Sequence, residues 1–174
     1  VTSSLTFTSG NWDTAQTVIV TGVDDDIIDG TQTTTVTIAV IDAISDNAFD
    51  SVADQTVSVT TTDDDVAGFT IAESSGSTSV AESGTTDTFT IVLDAQPDSD
   101  VVLSISSADT GEATVTSLLT FTSANWDTAQ TVTVTGVDDG IIDGAQTTTV
   151  SVTVVDSISD DNFDSVADQT VSVT

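Results

Sequence analysis

The chain has 174 residues, of which 29 are Asp or Glu and none is Lys, Arg or His, for a formal charge of -29. No side-chain salt bridge can form, every carboxylate must be solvated or cation-bound, and so many like charges on a compact body oppose folding. Cys, Tyr and Met are also absent, which excludes disulfides, thiolate metal sites and a Cys nucleophile. Paired carboxylates could in principle serve as acid and base, but with no His, Cys, Lys or Tyr, and with acidic residues clustered at turns that the repeat duplicates, no enzyme is expected. The negative field repels nucleic acid and anionic membrane surfaces, and neither is expected as a partner. No apolar run approaches the roughly 18 residues of a membrane span, and no basic segment heads a signal peptide. Without any Met the chain reads as a processed or excised piece of something longer. High net charge alone suggests disorder, but hydrophobic residues make up 37% of the chain and mean hydropathy is positive, which points to folded domains.

Residues 1–60 recur as residues 115–174, offset by 114 positions with 12 substitutions. That period fits whole tandem domains of about 100–150 residues, whereas solenoid repeats run to about 20–50. Alternation marks strands at residues 4–9 with Leu5 and Phe7 inward, at 16–21 with Val18 and Val20, at 32–41 with Val36, Ile38 and Val40, and at 55–60 with Val57 and Val59. Asp63, Asp64 and Asp65 form an acidic junction. Beyond it, residues 67–72 carry Phe69 and Ile71, a short piece at 77–82 carries Val80, and residues 87–94 carry Phe89, Ile91 and Leu93. A further strand holds Val101, Leu103 and Ile105, and the second copies follow around Leu119 and Phe121, Val132 and Val134, Val150 to Val154, and Val171 and Val173. No stretch has helical period. The expected fold class is all-β, an immunoglobulin-like antiparallel β-sandwich in tandem domains. Residues 1–62 read as the C-terminal part of a first repeat, 63–66 as the junction, and 67–174 as a second, nearly complete repeat.

The loop GVDDDIIDG at residues 22–30 returns as GVDDGIIDG at 136–144. Carboxylates at D-D-x-x-x-D spacing, flanked by glycines that permit a sharp turn, supply hard oxygen donors suited to Ca²⁺. A solvated acidic hairpin turn is the alternative. The absence of any basic side chain favours the cation.

The junction TTDDDVAGFTI at residues 61–71, the VAES at 80–83 and the GVDDGIIDG loop together resemble a Calx-β domain. Such domains serve as calcium sensors in sodium-calcium exchangers and form long tandem arrays in large secreted bacterial adhesins. The segment FTSANWDTAQTVTVTGVDD at 121–139 is most similar to the adhesin repeats. The resemblance implies calcium at one end of the sandwich. Carried over by position, the ligands are Glu82, Asp138, Asp139, the Ile141 carbonyl and Asp143 in the complete repeat. In the leading one they are Asp24, Asp25, the Ile27 carbonyl and Asp29, closed by Asp63, Asp64 and Asp65. Where sensor-type domains place a further acidic residue, this chain has Gln32 and Gln146, which implies fewer ions or weaker binding, and Asp26 becomes Gly140 in the second copy.

The function implied is a calcium-binding spacer or filament subunit of an extracellular adhesin or matrix fibre, secreted or at the cell surface. Its partners would be adjacent repeats of the same chain or neighbouring identical chains. A carbohydrate-binding module, gripping extracellular polysaccharide through Trp126, is the alternative. Asp46, Asn47 and Asp50, with Asp160, Asp161 and Asp164, read either as a second ion site or as capped turns around Phe49 and Phe163. Because strands matching Phe69 to Ile105 have no upstream copy, the apolar face of residues 1–60 is expected to be exposed. A cut within a longer repeat array is favoured over strand donation by a neighbouring molecule.

Overall fold

The computed structural model describes residues 4–138, 140–142 and 144–174. Among them there is no α-helix, only four single-turn 3-10 helices set among ten strands. Two compact units form: Val1–Asp25 with Thr31–Thr62, and Asp26–Gly30 with Asp63–Thr174.

The second unit is an immunoglobulin-like β-sandwich. Its strands are β3 (Phe69–Glu73), β4 (Thr86–Leu93), β5 (Val101–Ser107), β6 (Ala113–Val115), β7 (Leu118–Phe121), β8 (Gln130–Gly136), β9 (Thr148–Val154) and β10 (Gln169–Val173). Among its described residues the first unit contains only β1 (Gln32–Ile38) and β2 (Gln55–Thr61). In the second unit the sheets run β10-β9-β5-β7 and β3-β4-β8-β6, and every ladder between named strands is antiparallel. Alternation puts one side chain in two inward, so Phe89, Ile91 and Leu93 of β4 and Val132 and Val134 of β8 meet Val101, Leu103 and Ile105 of β5 and Phe121 of β7 in one core. Phe163, at the end of a 3-10 turn, is wholly buried with them. Each such side chain contributes about 1.5–3 kcal/mol on burial. Strand β6 has only three residues, too short a run for alternation to mark, and it forms because β8 offers it an edge through Thr114↔Thr135.

The two near-identical copies separate local from non-local structure. Asn11 Oδ1 accepts the Thr8 N–H, and Asn125 Oδ1 accepts the Thr122 N–H. Asp46 caps one 3-10 turn and Asp160 its counterpart. The hairpin register is also the same, Val36↔Val57 in the first unit and Val150↔Val171 in the second. The strands that need a partner from outside the repeated 60 residues differ. Residues 4–9 and 16–21, expected as strands, form no ladder, because their counterparts β7 and β8 pair with β5, β4 and β6, and no second copy of those three belongs to the first unit. Phe7 is 54% exposed where Phe121 is 0%, Phe49 57% where Phe163 is 0%, and Val57 51% where Val171 is 4%.

Matched substitutions read this contrast directly. Phe121→Ala empties a filled core site and should cost about 3–5 kcal/mol in a urea titration of the full chain. Phe7→Ala, at the same position of the repeat, should leave the main transition unmoved.

Candidate metal centre

The segment carrying Glu82 is fixed by polar contacts on both sides. Asp87 Oδ2 accepts the Ser79 N–H at 2.9 Å, and its Oδ1 accepts the Ser74 hydroxyl and the Thr88 N–H. Thr78 bridges Val173 in parallel, with Val80 N–H donating to the Thr174 carbonyl. The chain then turns at residues 81–85, where the Ala81 carbonyl accepts from Gly84 and Thr85, and the Thr85 carbonyl accepts from Gly136 at the end of β8. The approach is close enough that a Cβ on Gly136 would sit 2.2 Å from the Ala81 carbonyl oxygen. Glu82 is thereby held at the end of the sandwich where Val137 and Asp138 leave β8. Glu82, Glu112, Gly144 and Gln146 line a common depression of about 440 Å³. Glu112, half-buried, belongs to no ligand motif; its only sequence signal is the Asp-Thr-Gly-Glu turn it closes. Asp138 and Ile141 are exposed. Asp139 and Asp143, both expected as ligands, lie outside the described residues.

The ligand set expected from the first copy divides between the two units. Asp24 and Asp25 group with the first unit, and Ile27, Asp29, Asp63, Asp64 and Asp65 with the second. Within the second unit the loop and the junction adjoin. The Gly30 N–H donates to Asp63 Oδ2 at 2.6 Å and the Asp65 N–H to Asp63 Oδ1 at 2.8 Å. These amides, that of Asp65 first, hold the Asp63 carboxyl below its ordinary value. Gly30 turns the chain with φ at 67°, a conformation that other residues rarely adopt. Upstream of it, the Asp26 carbonyl accepts the Gln96 N–H, Ile27 bridges Gln96, and Ile28 packs against the core. The Ile27 carbonyl accepts the Asp29 N–H at 2.9 Å.

As a test of fit to a hard cation, the donors are all oxygens and two acidic segments adjoin, with Asp63 kept ionised between them. Among the described residues, however, no three acidic side chains gather into a metal-holding group. Asp24, Asp29 and Asp64 are exposed, so any ligation would draw surface carboxylates inward.

Around Phe163 the geometry is that of a capped turn. Asp160 is 4% exposed, and its two oxygens accept N–H groups of Asn162 and Ser99. Partial desolvation and the neighbouring Asp156, Asp161 and Asp160 raise the carboxyl of Asp164. Trp126 packs against the core, and its carbonyl accepts the Leu93 N–H.

No protein-family model and no curated protein matches the chain. Among solved structures it is similar to WR4, an MSP family member of C. elegans, at 7% identity and TM-score 0.42, over 60% of this chain and 94% of that one. It is similar to SSP-19, an MSP-domain protein like family member in Caenorhabditis elegans, at 17% identity and TM-score 0.38, over 59% and 94%. A third is domains 4 and 5 of the S-layer protein SbsC, at 20% identity and TM-score 0.36, over 70% of this chain and 62% of that one. Similarity at these levels assigns no function.

Two outcomes are expected from this geometry. Gly136→Ala should cost about 1–3 kcal/mol by overpacking against the Ala81 backbone, whereas Gly22→Ala, whose Cβ would meet only a Thr61 methyl at 3.5 Å, should be near neutral; thermal melts of the two variants check this. Asp87 is held below its ordinary value of 3.8 by the Ser79 N–H, the Ser74 hydroxyl and the Thr88 N–H. Its contribution to stability is therefore complete above pH 3.8 and is lost as pH falls through its lowered folded value. Asp87→Asn should destabilise at neutral pH and converge on the parent chain in acid, as followed by amide exchange at Ser79.

Proposed function

We propose that this chain is a calcium-binding structural repeat, a spacer or filament subunit of a long extracellular bacterial adhesin or matrix fibre. The observation that carries this reading is the combination of 29 carboxylates, no basic side chain and a folded sandwich whose acidic loop and acidic junction are tied through Asp63. Like charges gathered at loop and junction repel, and a divalent cation offsets that repulsion more directly than any group the chain itself carries. Asp63 supports the reading by staying ionised while holding the two segments together. In the second copy Glu82, Asp138 and the 140–146 loop would take the corresponding part, with Glu112 as a neighbouring donor. Ligation, with no chemical step, is the proposed mechanism, and the partners are adjacent repeats or identical chains. Extracellular placement follows from the same reading. No helix among the described residues is long and apolar enough to cross a membrane. Glycan gripping by Trp126 has less support, since that side chain packs against the core.

Calcium at about 100 times its dissociation constant should add roughly 2.7 kcal/mol per site. The melting temperature should therefore rise, and the scattering envelope tighten, between chelator and millimolar calcium. In calorimetric titrations Asp143→Asn should lose binding while Asp26→Asn keeps most of it, because position 26 is Gly140 in the other copy. Identical melts and profiles in chelator and in calcium would sink the reading.

A further inference from the structure

In the second unit, residues 115–174 are completed by residues 69–107. Strand β5 lies between β7 and β9, and β4 lies beside β8. The first unit holds most of the corresponding stretch, residues 1–60, without those partners. Its β1 pairs only with β2, so the edge that β9 gives to β5 carries no ladder partner among the described residues. Phe7, Val20, Ile38, Phe49 and Val57 are exposed, although their counterparts line the core of the second unit. An open strand edge with exposed apolar side chains on its own and nearby segments is a template for strand addition.

We infer that the first unit is an acceptor for a polypeptide segment of the sequence type of residues 69–107, one strand of which enters between residues 4–7 and β1. The register follows from the second unit, where Leu103 lies opposite Leu119 and Val154, and Ile105 opposite Val152. In the first unit the Leu103-type residue would stand opposite Leu5 and Val40, and the Ile105-type residue opposite Ile38. The donor must be a further segment of that type, because residues 69–107 already complete the second unit. This inference goes beyond the calcium reading and stands or falls separately from it, since strand protection is measured and ion content is not.

The test extends the full chain upstream of Val1 with a second copy of residues 61–114, so that both 60-residue stretches have the same preceding sequence. A scrambled extension of equal composition is the control, and Trp126→Phe in all chains leaves Trp12, 70% exposed, as the fluorescent reporter. With the native extension, amide exchange in β1 and β2 should slow to the rates of the matched amides in β9 and β10, and Trp12 emission should shift to the blue. Val36→Asp in the extended chain should abolish both changes while β9 and β10 stay protected. The inference is overturned if the native extension leaves β1 and β2 unprotected, or if the scrambled extension protects them equally. It is also overturned if the unextended chain forms a dimer with β1 protected, because a second copy then covers the face.

Discussion

A sandwich buries its apolar residues only when both sheets are complete, and in this repeat each sheet draws strands from both sides of one point near residue 110. Strand β5 comes before that point and sits between β7 and β9, which come after it; β4 likewise sits between β3 and β8. The later strands therefore cannot bury themselves. The chain contains its own control, because residues 1–60 repeat the later strands without the earlier ones. They keep their turns and one hairpin, and none of their described residues is buried. Hydrophobic pattern alone does not make a strand here. An inward-facing residue needs a ladder partner at large sequence separation, and the energy of burial comes only with that partner.

Charge imposes the second constraint. With no basic side chain, the carboxylates that fix structure do so by accepting backbone N–H groups and, at Asp94, Asp87 and Glu73, side-chain hydroxyls. Asp63 takes the N–H groups of Gly30 and Asp65, Asp87 those of Ser79 and Thr88, Asp160 those of Ser99 and Asn162, and Asp109 that of Gly111. Hydrogen bonds to an ionised acceptor are stronger than neutral ones, so these contacts replace salt bridges at turns. They also consume no counter-charge, and the net repulsion of the chain remains. At Asp164 it adds to partial desolvation, and Asp156, Asp161 and Asp160 push the carboxyl further up.

The period of 114 residues and the period-two alternation made the sandwich, its inward residues and its later strands legible in the sequence. Phe89, Leu103, Val132 and Val150 are buried as alternation requires. Alternation was blind to β6, three residues long, and it marked residues 4–9 and 16–21 as strands although their ladder partners are missing. The candidate site was legible as composition and less so as geometry. The Calx-β resemblance implied Glu82 and Asp138 together at one end of the sandwich, but among the described residues the carboxylates do not converge into a metal-holding group, and Glu112 lines the depression from a turn with no motif of its own. Side-chain convergence depends on rotamers and on where separate loops meet, neither of which is written in spacing.

The isoleucine pair in the acidic loop shows how one motif can carry two kinds of information. Read from the sequence, Ile27 and Ile141 matter only for their carbonyl oxygens. In the second unit, however, the side chain of Ile28 packs against the core beside the Ile27 to Gln96 bridge, while its counterpart Ile142 is fully exposed. A loop meant only to hold a cation in water has no use for two adjacent isoleucines, whose exposure is unfavourable by about 1.5–3 kcal/mol each relative to burial. Where burial is available, as at Ile28, the pair anchors the acidic residues on either side of it. The apolar anchor and the carboxylates then act at one place, and Asp63, bound to the Gly30 amide, is where the two meet.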